Sequence, residues 1–343
     1  MKKVVGSFVA VSIALVTSMT SSMAIAANSD PVKIGVSMFQ QQSKRFVYEA
    51  ALMEKIAKEN GDDIIVNFGN NNATTQASQI ETMLLRGIKV LIVVPLEPKA
   101  LAPLITRARK QGVKVVTYDT RMTGAEVDYA VQRDNAAAGK MNVDAALAAA
   151  PEGKYAIIRG DITSPSAVEL GAHYDDLKSL KNVEVTYDQA VPGWSADTAQ
   201  KYAEAAVQRN PDLKAVVAMW DNASVAAVQA LRAAGKKPGE VFVTGINGDP
   251  ANLKLIAQGW QGQTTWTRID QMAKDAMAAA DALARDHEPP KADEVVEGVP
   301  YKYTPLFSVQ KDTLCEYVTK VAPEGWLTAA ELKDIFEGQK PCD

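Results

Sequence analysis

The residues best equipped for chemistry in this chain cluster where short apolar runs give way to polar ones. After Val32–Met38 come Phe39, Arg45 and Phe46, and the run Val115–Tyr118 opens onto Asp119, Thr120 and Arg121. Arg133-Asp134-Asn135 follows Val131. Further along stand Arg159-Gly160-Asp161, Gly193-Trp194, Met219-Trp220-Asp221-Asn222, Gly245-Ile246-Asn247 and Thr265-Trp266-Thr267-Arg268. This inventory of carboxylates, amides, guanidinium groups and flat rings suits a small neutral polyhydroxylated ligand. Each hydroxyl donates and accepts, so Asp, Asn and Arg can share it in one network. Aromatic faces pack on the C–H faces of a sugar ring and keep water out. Other roles fit the same residue types. Asp134, Asn135 and Asn222 read equally as helix N-caps, Trp194 and Trp220 as packing residues, and Asp221 as a cap or hinge residue.

Catalysis finds less support. The histidines are His173 and His287, neither beside a Ser or Cys nucleophile with an orienting acid. The sequence contains no G-x-S-x-G elbow, no G-x-x-x-x-G-K-[ST] loop, and no G-x-G-x-x-G after its first strand. The enzyme reading left open is glycoside hydrolysis, should Asp119 and Asp221 face each other across a cleft. No calcium loop or metal-ligand spacing stands out, so the expectation is a binding protein with no cofactor and no metal. With 37 Lys and Arg against 41 Asp and Glu, the formal charge is -4, which argues against nucleic acid as a partner.

The amino-terminal residues direct export. Lys2 and Lys3 precede an uncharged apolar run from Val4 to about Met19, and Ala24-Ile25-Ala26 supplies the small-x-small pattern of a cleavage site. Residues 1–26 therefore read as a signal peptide, and the mature chain as periplasmic. An oxidising compartment favours pairing Cys315 with Cys342.

The elements that must position the polar clusters alternate along the chain. Strands are expected over Val32–Met38, Ile64–Phe68, Val90–Pro95, Val113–Tyr118 and Tyr129–Val131, with helices over Arg45–Lys58, Ser78–Leu85 and Leu101–Lys110. A second series places strands at Tyr155–Ile158, Val183–Tyr187, Ala215–Met219 and Val241–Thr244, with helices at Ala167–Leu180, Ala196–Arg209 and Ala223–Ala234. Nearly all-apolar strands alternating with helices specify α/β units with parallel sheets. A chain of 343 residues with 47% apolar residues fills two such domains. The expected division is 27–132 plus 268–296 for the amino-terminal lobe and 133–267 plus 297–343 for the carboxyl-terminal lobe. Short connections near Gln132–Asp134 and Thr267–Asp270 suggest a hinge between them, and ligands of open α/β sheets sit beyond the carboxyl ends of the strands.

At the level of family, the chain resembles periplasmic solute-binding proteins of the ribose/galactose/xylose type, which serve ABC transporters, and within them the D-xylose-binding branch. The resemblance covers essentially the whole mature chain. It is carried by Ile34-Gly35, Gln79-Ile80-Glu81 before Arg86-Gly87, and Val115–Asp119 after Gly112. Asp134-Asn135 with Gly139, Gly193-Trp194, Asp221, and Gly245 with Ala257-Gln258-Gly259 complete it. It implies two Rossmann-like lobes joined by a three-segment hinge (the type I periplasmic binding protein fold), closing on one sugar. By position it implies that Arg45, Phe46, Asp119, Asn135, Ser166, Trp194, Asp221 and Asn247 touch the ligand. Phe39, Arg121 and Trp220 join them as candidates from the strand-end inventory. The implied partners are an ABC transporter permease and a chemoreceptor, with the protein itself a monomer.

The chain departs from the family pattern at Thr120, Gly171, Trp220, Asn247 and Thr267, where Arg, Arg, Asn, Asp and Lys are expected. Fewer ionic groups and one more ring make xylose an uncertain ligand. Another aldose, a polyol, a non-sugar ring compound or a furanose-like signal of the autoinducer type stays open.

Overall fold

The computed structural model describes Met1, residues 30–338 and Cys342; the signal segment expected over 1–26 lies, beyond Met1, outside the described residues. The first series runs β1 (Lys33–Met38), α1 (Lys44–Asn60), β2 (Asp63–Phe68), α2 (Ala73–Leu85), β3 (Val90–Val93), α3 (Pro98–Lys110), β4 (Lys114–Tyr118) and β5 (Tyr129–Arg133). The second runs α4 (Asn135–Ala149), β6 (Gly153–Arg159), α5 (Pro165–Leu170), β7 (Val183–Ala190), α6 (Ala196–Arg209) and β8 (Leu213–Ala218). It continues through α7 (Asp221–Ala233), β9 (Phe242–Val243), α8 (Pro250–Ala257) and β10 (Gln263–Thr267). The chain then returns through α9 (Ile269–Ala284), β11 (Glu294–Val296) and β12 (Val299–Thr304). It ends with β13 (Leu306–Gln310), α10 (Leu314–Glu316) and α11 (Ala329–Ile335).

Strand pairing sorts these elements into two lobes. The first is a seven-stranded sheet in the order β11-β12-β5-β4-β3-β1-β2, parallel except for the edge pair β11–β12. β3 is buried along its whole length and β1 almost so, because helices cover both faces of the sheet. The second lobe holds the parallel sheet β7-β6-β8-β9. A single parallel bridge, Ile246 to Thr265, brings up β10, which pairs antiparallel with β13.

The chain crosses between lobes after Arg133, after Thr267 and after Thr304. The last crossing corrects the expected boundary between 296 and 297. β12 pairs with β5 from Tyr301↔Ala130 to Thr304↔Arg133, so residues 299–304 belong to the first sheet. Arg133 likewise stays in β5, one residue beyond the expected limit of 132.

A second correction concerns the helix expected over Ala167–Leu180. The α-helix stops at Leu170, and the chain continues in 3-10 turns over Gly171–His173 and Asp175–Ser179. The backbone here is pressed against α4, since a Cβ on Gly139 would lie 1.9 Å from the Leu170 carbonyl oxygen. Tyr174, fully buried, accepts a hydrogen bond from Asn142 at 3.0 Å. The tail is stapled as expected, with Cys315 bonded to Cys342 across 5.2 Å between Cα atoms.

Candidate functional site

Asp119 follows β4 directly, at the carboxyl end of the first sheet, and takes φ of 62°, a left-handed turn that a short polar residue tolerates. Its N–H donates to the Val131 carbonyl at 2.9 Å, which fixes the turn against β5. Arg45 reaches it from the first turn of α1, with Nη2 2.8 Å from the Asp119 Oδ1, and Arg133 Nη1 from the end of β5 stands at 3.8 Å. Arg45 also donates through Nε and Nη2 to Glu49 Oε1, at 3.1 and 2.9 Å. Its guanidinium lies over the Phe46 ring, 4.7 Å from the centroid, and Phe39 packs on Phe46 at 5.7 Å. Arg45, Glu49, Asp119 and Arg133 are all buried.

Two guanidinium groups thus face two carboxylates in a desolvated setting. Burial pushes the Asp119 carboxyl up, but Arg45 and Arg133 outweigh it and hold the group below the usual range. Glu49 goes the other way. Burial lifts it to about 7, against the pull of Arg45. Burial also opposes the charge on Arg45, and Asp119 with Glu49 restores it above its ordinary value. Arg133, without a carboxylate as close, is lowered by desolvation.

This cluster continues into the second lobe. Arg133 Nε donates to Asn135 Oδ1 at 2.7 Å, and Asn135 Nδ2 donates to Glu169 Oε2 on α5 at 2.8 Å. Arg121, from the segment after Asp119, places Nε 3.6 Å from Glu169 Oε1, so Glu169 ties both lobes together. Asp134 rather than Asn135 caps α4, accepting from Ala137 N at 2.9 Å. Ser166 is buried on the first turn of α5, its Oγ 2.8 Å from the Ser164 Oγ.

The rings gather at the carboxyl ends of the second sheet. Trp194 meets Trp220 edge-on, with centroids 5.4 Å apart. Gly160 makes room for Trp194, whose ring would lie 2.2 Å from a Cβ placed there. Asn247 sits half-buried in the loop between β9 and α8 with φ of 130°, its N–H donating to Thr265 O at 3.0 Å.

Asp221, expected to touch the ligand, opens α7 directly after Trp220. It is fully buried, and its oxygens are already engaged: Oδ2 accepts from Asp249 N and Oδ1 from Thr264 Oγ1, each at 2.8 Å. It braces the loop that carries Asn247. Burial, then the neighbouring Asp249 carboxylate, pushes the Asp221 carboxyl well above the usual range, and burial lifts Asp249 as well.

A pH dependence follows from these raised carboxyls. Asp221, Asp249 and Glu49 bind protons more tightly folded than unfolded. Their contribution to stability is complete below the unfolded carboxylate range and is lost as pH rises through the folded values, near 7 for Glu49. Asp221→Asn is expected to flatten the fall in melting temperature between about pH 5 and pH 8. A fall as steep as that of the parent in thermal melts across that range would contradict the assignment.

The sequence reading passed over Glu49, Glu169 and Asp249 and gave Arg133 no site role. Arg45 and Glu49 carried a legible signal, the i,i+4 spacing of a helical ion pair. Glu169 and Asp249 carried none, since only the folded chain brings them to Asn135 and Asp221. A surface cavity of about 410 Å³ lies at the other end of β4, lined by Thr106, Arg109, Lys114, Glu126 and Asp128 among others. Arg109 there is paired with Glu126 and Asp128, at 2.9 and 3.2 Å, and none of the strand-end groups reaches it.

Comparison with known proteins identifies the family and the fold. The profile of the family described as periplasmic binding protein domain matches residues 34–288. The chain is 31% identical over 307 residues to the D-xylose-binding periplasmic protein of Escherichia coli (strain K12), covering 86% of this chain and 92% of that one. It is 29% identical over 273 residues to the xylitol-binding protein of Mycolicibacterium smegmatis, covering 77% and 75% of the two chains. An ABC transporter solute-binding protein from Clostridium phytofermentans, solved with bound β-D-glucose, superposes with a TM-score of 0.80 at 25% identity, over 88% of this chain and 100% of that one.

Proposed function

Since this chain belongs to the periplasmic binding protein domain family, we propose that it captures a neutral sugar or polyol between its lobes and delivers it unchanged to the permease of an ABC transporter. The observation that carries this reading is Asp119, held ionised between Arg45 and Arg133 at the end of one sheet. The Trp194–Trp220 pair stands at the ends of the other. The guanidinium groups are already paired with carboxylates of the protein, so the ligand need bring no charge, and hydroxyls can bridge the donors and acceptors that remain. The ring edges and faces of Trp194 and Trp220 supply apolar contact for C–H groups.

The ligand class follows from the relatives, whose names specify D-xylose and xylitol, and from the glucose-bound structure. Asn247 keeps an acceptor and adds donors, which favours a hydroxyl arrangement unlike that of an all-carboxylate site. The site is proposed to place Phe39, Arg45, Phe46, Asp119, Arg121, Asn135, Ser166, Trp194, Trp220 and Asn247 around that ligand, with Asp221 as a brace. Export through the segment ending at Ala26 places the mature protein in the periplasm, the compartment in which its relative from Escherichia coli is named.

A thermal-shift screen of pentoses, hexoses, pentitols and cyclitols tests the proposal. At least one compound at 100 times its Kd should stabilise the protein by about 2.7 kcal/mol, which reads as a rise in Tm of a few degrees. No shift with any member of the panel would overturn it.

A further inference from the structure

The carboxyl-terminal segment belongs to the second lobe by packing. Trp326 and Tyr317 are fully buried against Trp266 of β10, with Leu253 and Ile256 of α8 in the same cluster. Lys254 of α8 pairs with Asp334 at 2.6 Å and Glu337 at 2.9 Å. The same segment also grips the first lobe, at the opening turns of α1. Lys44 Nζ lies 2.5 Å from Glu331 Oε1 and 4.9 Å from the Trp326 ring centroid. Tyr48 packs edge-on against Trp326, with centroids 5.7 Å apart, and its hydroxyl donates to the Glu324 carbonyl at 3.0 Å.

These contacts pass from one lobe to the other without using any of the crossing strands. They also fall on the helical turn that carries Arg45 to Asp119. We propose that the segment from Leu314 to Glu337 is an inter-lobe latch, in which Trp326, Glu331 and the Glu324 carbonyl hold Lys44 and Tyr48 and stabilise the closed cleft. The inference rests on the solute-binding reading of the cleft.

The physical consequence is specific. A residue touching the ligand changes the ranking of ligands when it is altered. A latch touches none of them and shifts only the balance between open and closed forms, so every apparent Kd moves by the same factor. The Cys315–Cys342 bond closes the chain around the latch, and opening it frees the end of the segment. Lys44, Tyr48, Glu324 and Glu331 are positioning groups, since they act on the closure of the lobes and touch no ligand.

The test compares the parent with Lys44→Met/Glu331→Gln, and with Cys315→Ser/Cys342→Ser, by titration calorimetry against each compound that shifts the parent. Both double variants retain Trp326 and its core. The latch predicts weakening of about 3- to 10-fold by the first pair, by one common factor across all ligands. The second pair should weaken binding in the same uniform way. Affinities within twofold of the parent, or factors that differ between ligands, would overturn it.

If no compound binds the parent, the solute-binding reading is what fails. The latch is then decided on the ligand-free proteins by small-angle X-ray scattering. A larger radius of gyration in Lys44→Met/Glu331→Gln than in the parent supports it, and equal radii overturn it.

Discussion

Asp119→Ala is expected to weaken ligand binding by roughly 100- to 1,000-fold and to lower the melting temperature of the ligand-free protein. The carboxylate is the anion shared by Arg45 at 2.8 Å and Arg133 at 3.8 Å, and all three side chains are buried. Removing one partner of such a set leaves buried guanidinium charge uncompensated, which costs about 3–5 kcal/mol. Glu49 does not replace it, because its Oε1 is already engaged by Arg45 Nε and Nη2. Asp119→Asn separates the two consequences. It keeps the shape and one acceptor while losing the charge, so it should recover part of the packing but little of the affinity. Calorimetric titration together with thermal melts of the three proteins checks this. Binding by Asp119→Ala within threefold of the parent would show that the carboxylate faces no ligand.

The second large effect is expected at Trp194. This ring is half-exposed and rests edge-on against Trp220, which is itself almost buried, so its outer face is the part not committed to the core. Trp194→Ala should cost about 2–4 kcal/mol of binding free energy, the range of an aromatic anchor in a desolvated site. The melting temperature of the ligand-free protein should move little, because much of the ring lies outside the core. Trp194→Phe should restore most of the affinity. A large loss of stability with unchanged affinity would instead make Trp194 a packing residue, the alternative its sequence context left open.

The two variants probe opposite lobes, and their contrast follows from how each group is held. Asp119 is fixed by charge and by a left-handed turn, Trp194 by the absence of a side chain at Gly160.

How far this arrangement could be read in the sequence depends on the range of the forces involved. Apolar strands and amphipathic helices are set by local pattern. The strands β1 to β8 accordingly fall where the runs of Val, Ile and Ala place them. The break after Leu170 was not legible in the Ala167–Leu180 pattern, because it depends on the close approach of α4 at Gly139. The third crossing, expected between 296 and 297, falls after Thr304. Val299–Thr304 looks like any short strand, and only its pairing with β5 assigns it to the first lobe.

The site shows the same division. Arg45, Asp119, Asn135 and the two tryptophans stand at strand ends, where the topology alone directs them toward a cleft. For Asp221 the sequence left open a ligand contact and a cap or hinge role. Whether a carboxylate meets a ligand or a backbone N–H depends on the loop opposite it, here Asp249 at 2.8 Å. Gly171 illustrates how a departure from the family pattern becomes intelligible once folded. A Cβ there would lie 2.9 Å from Arg159 Nη1, so a guanidinium from β6, itself paired with Asp188 at 2.7 Å, occupies the neighbourhood of the missing arginine.

The most direct test is a crystal structure of the protein grown with whichever sugar or polyol gives the largest thermal shift. The account predicts a single intact molecule between the lobes, with a hydroxyl within about 3.2 Å of the Asp119 carboxylate and a C–H face against Trp194. A ligand bound elsewhere, in the cavity beside Arg109 and Lys114 for example, or one cleaved or rearranged between the lobes, would contradict it.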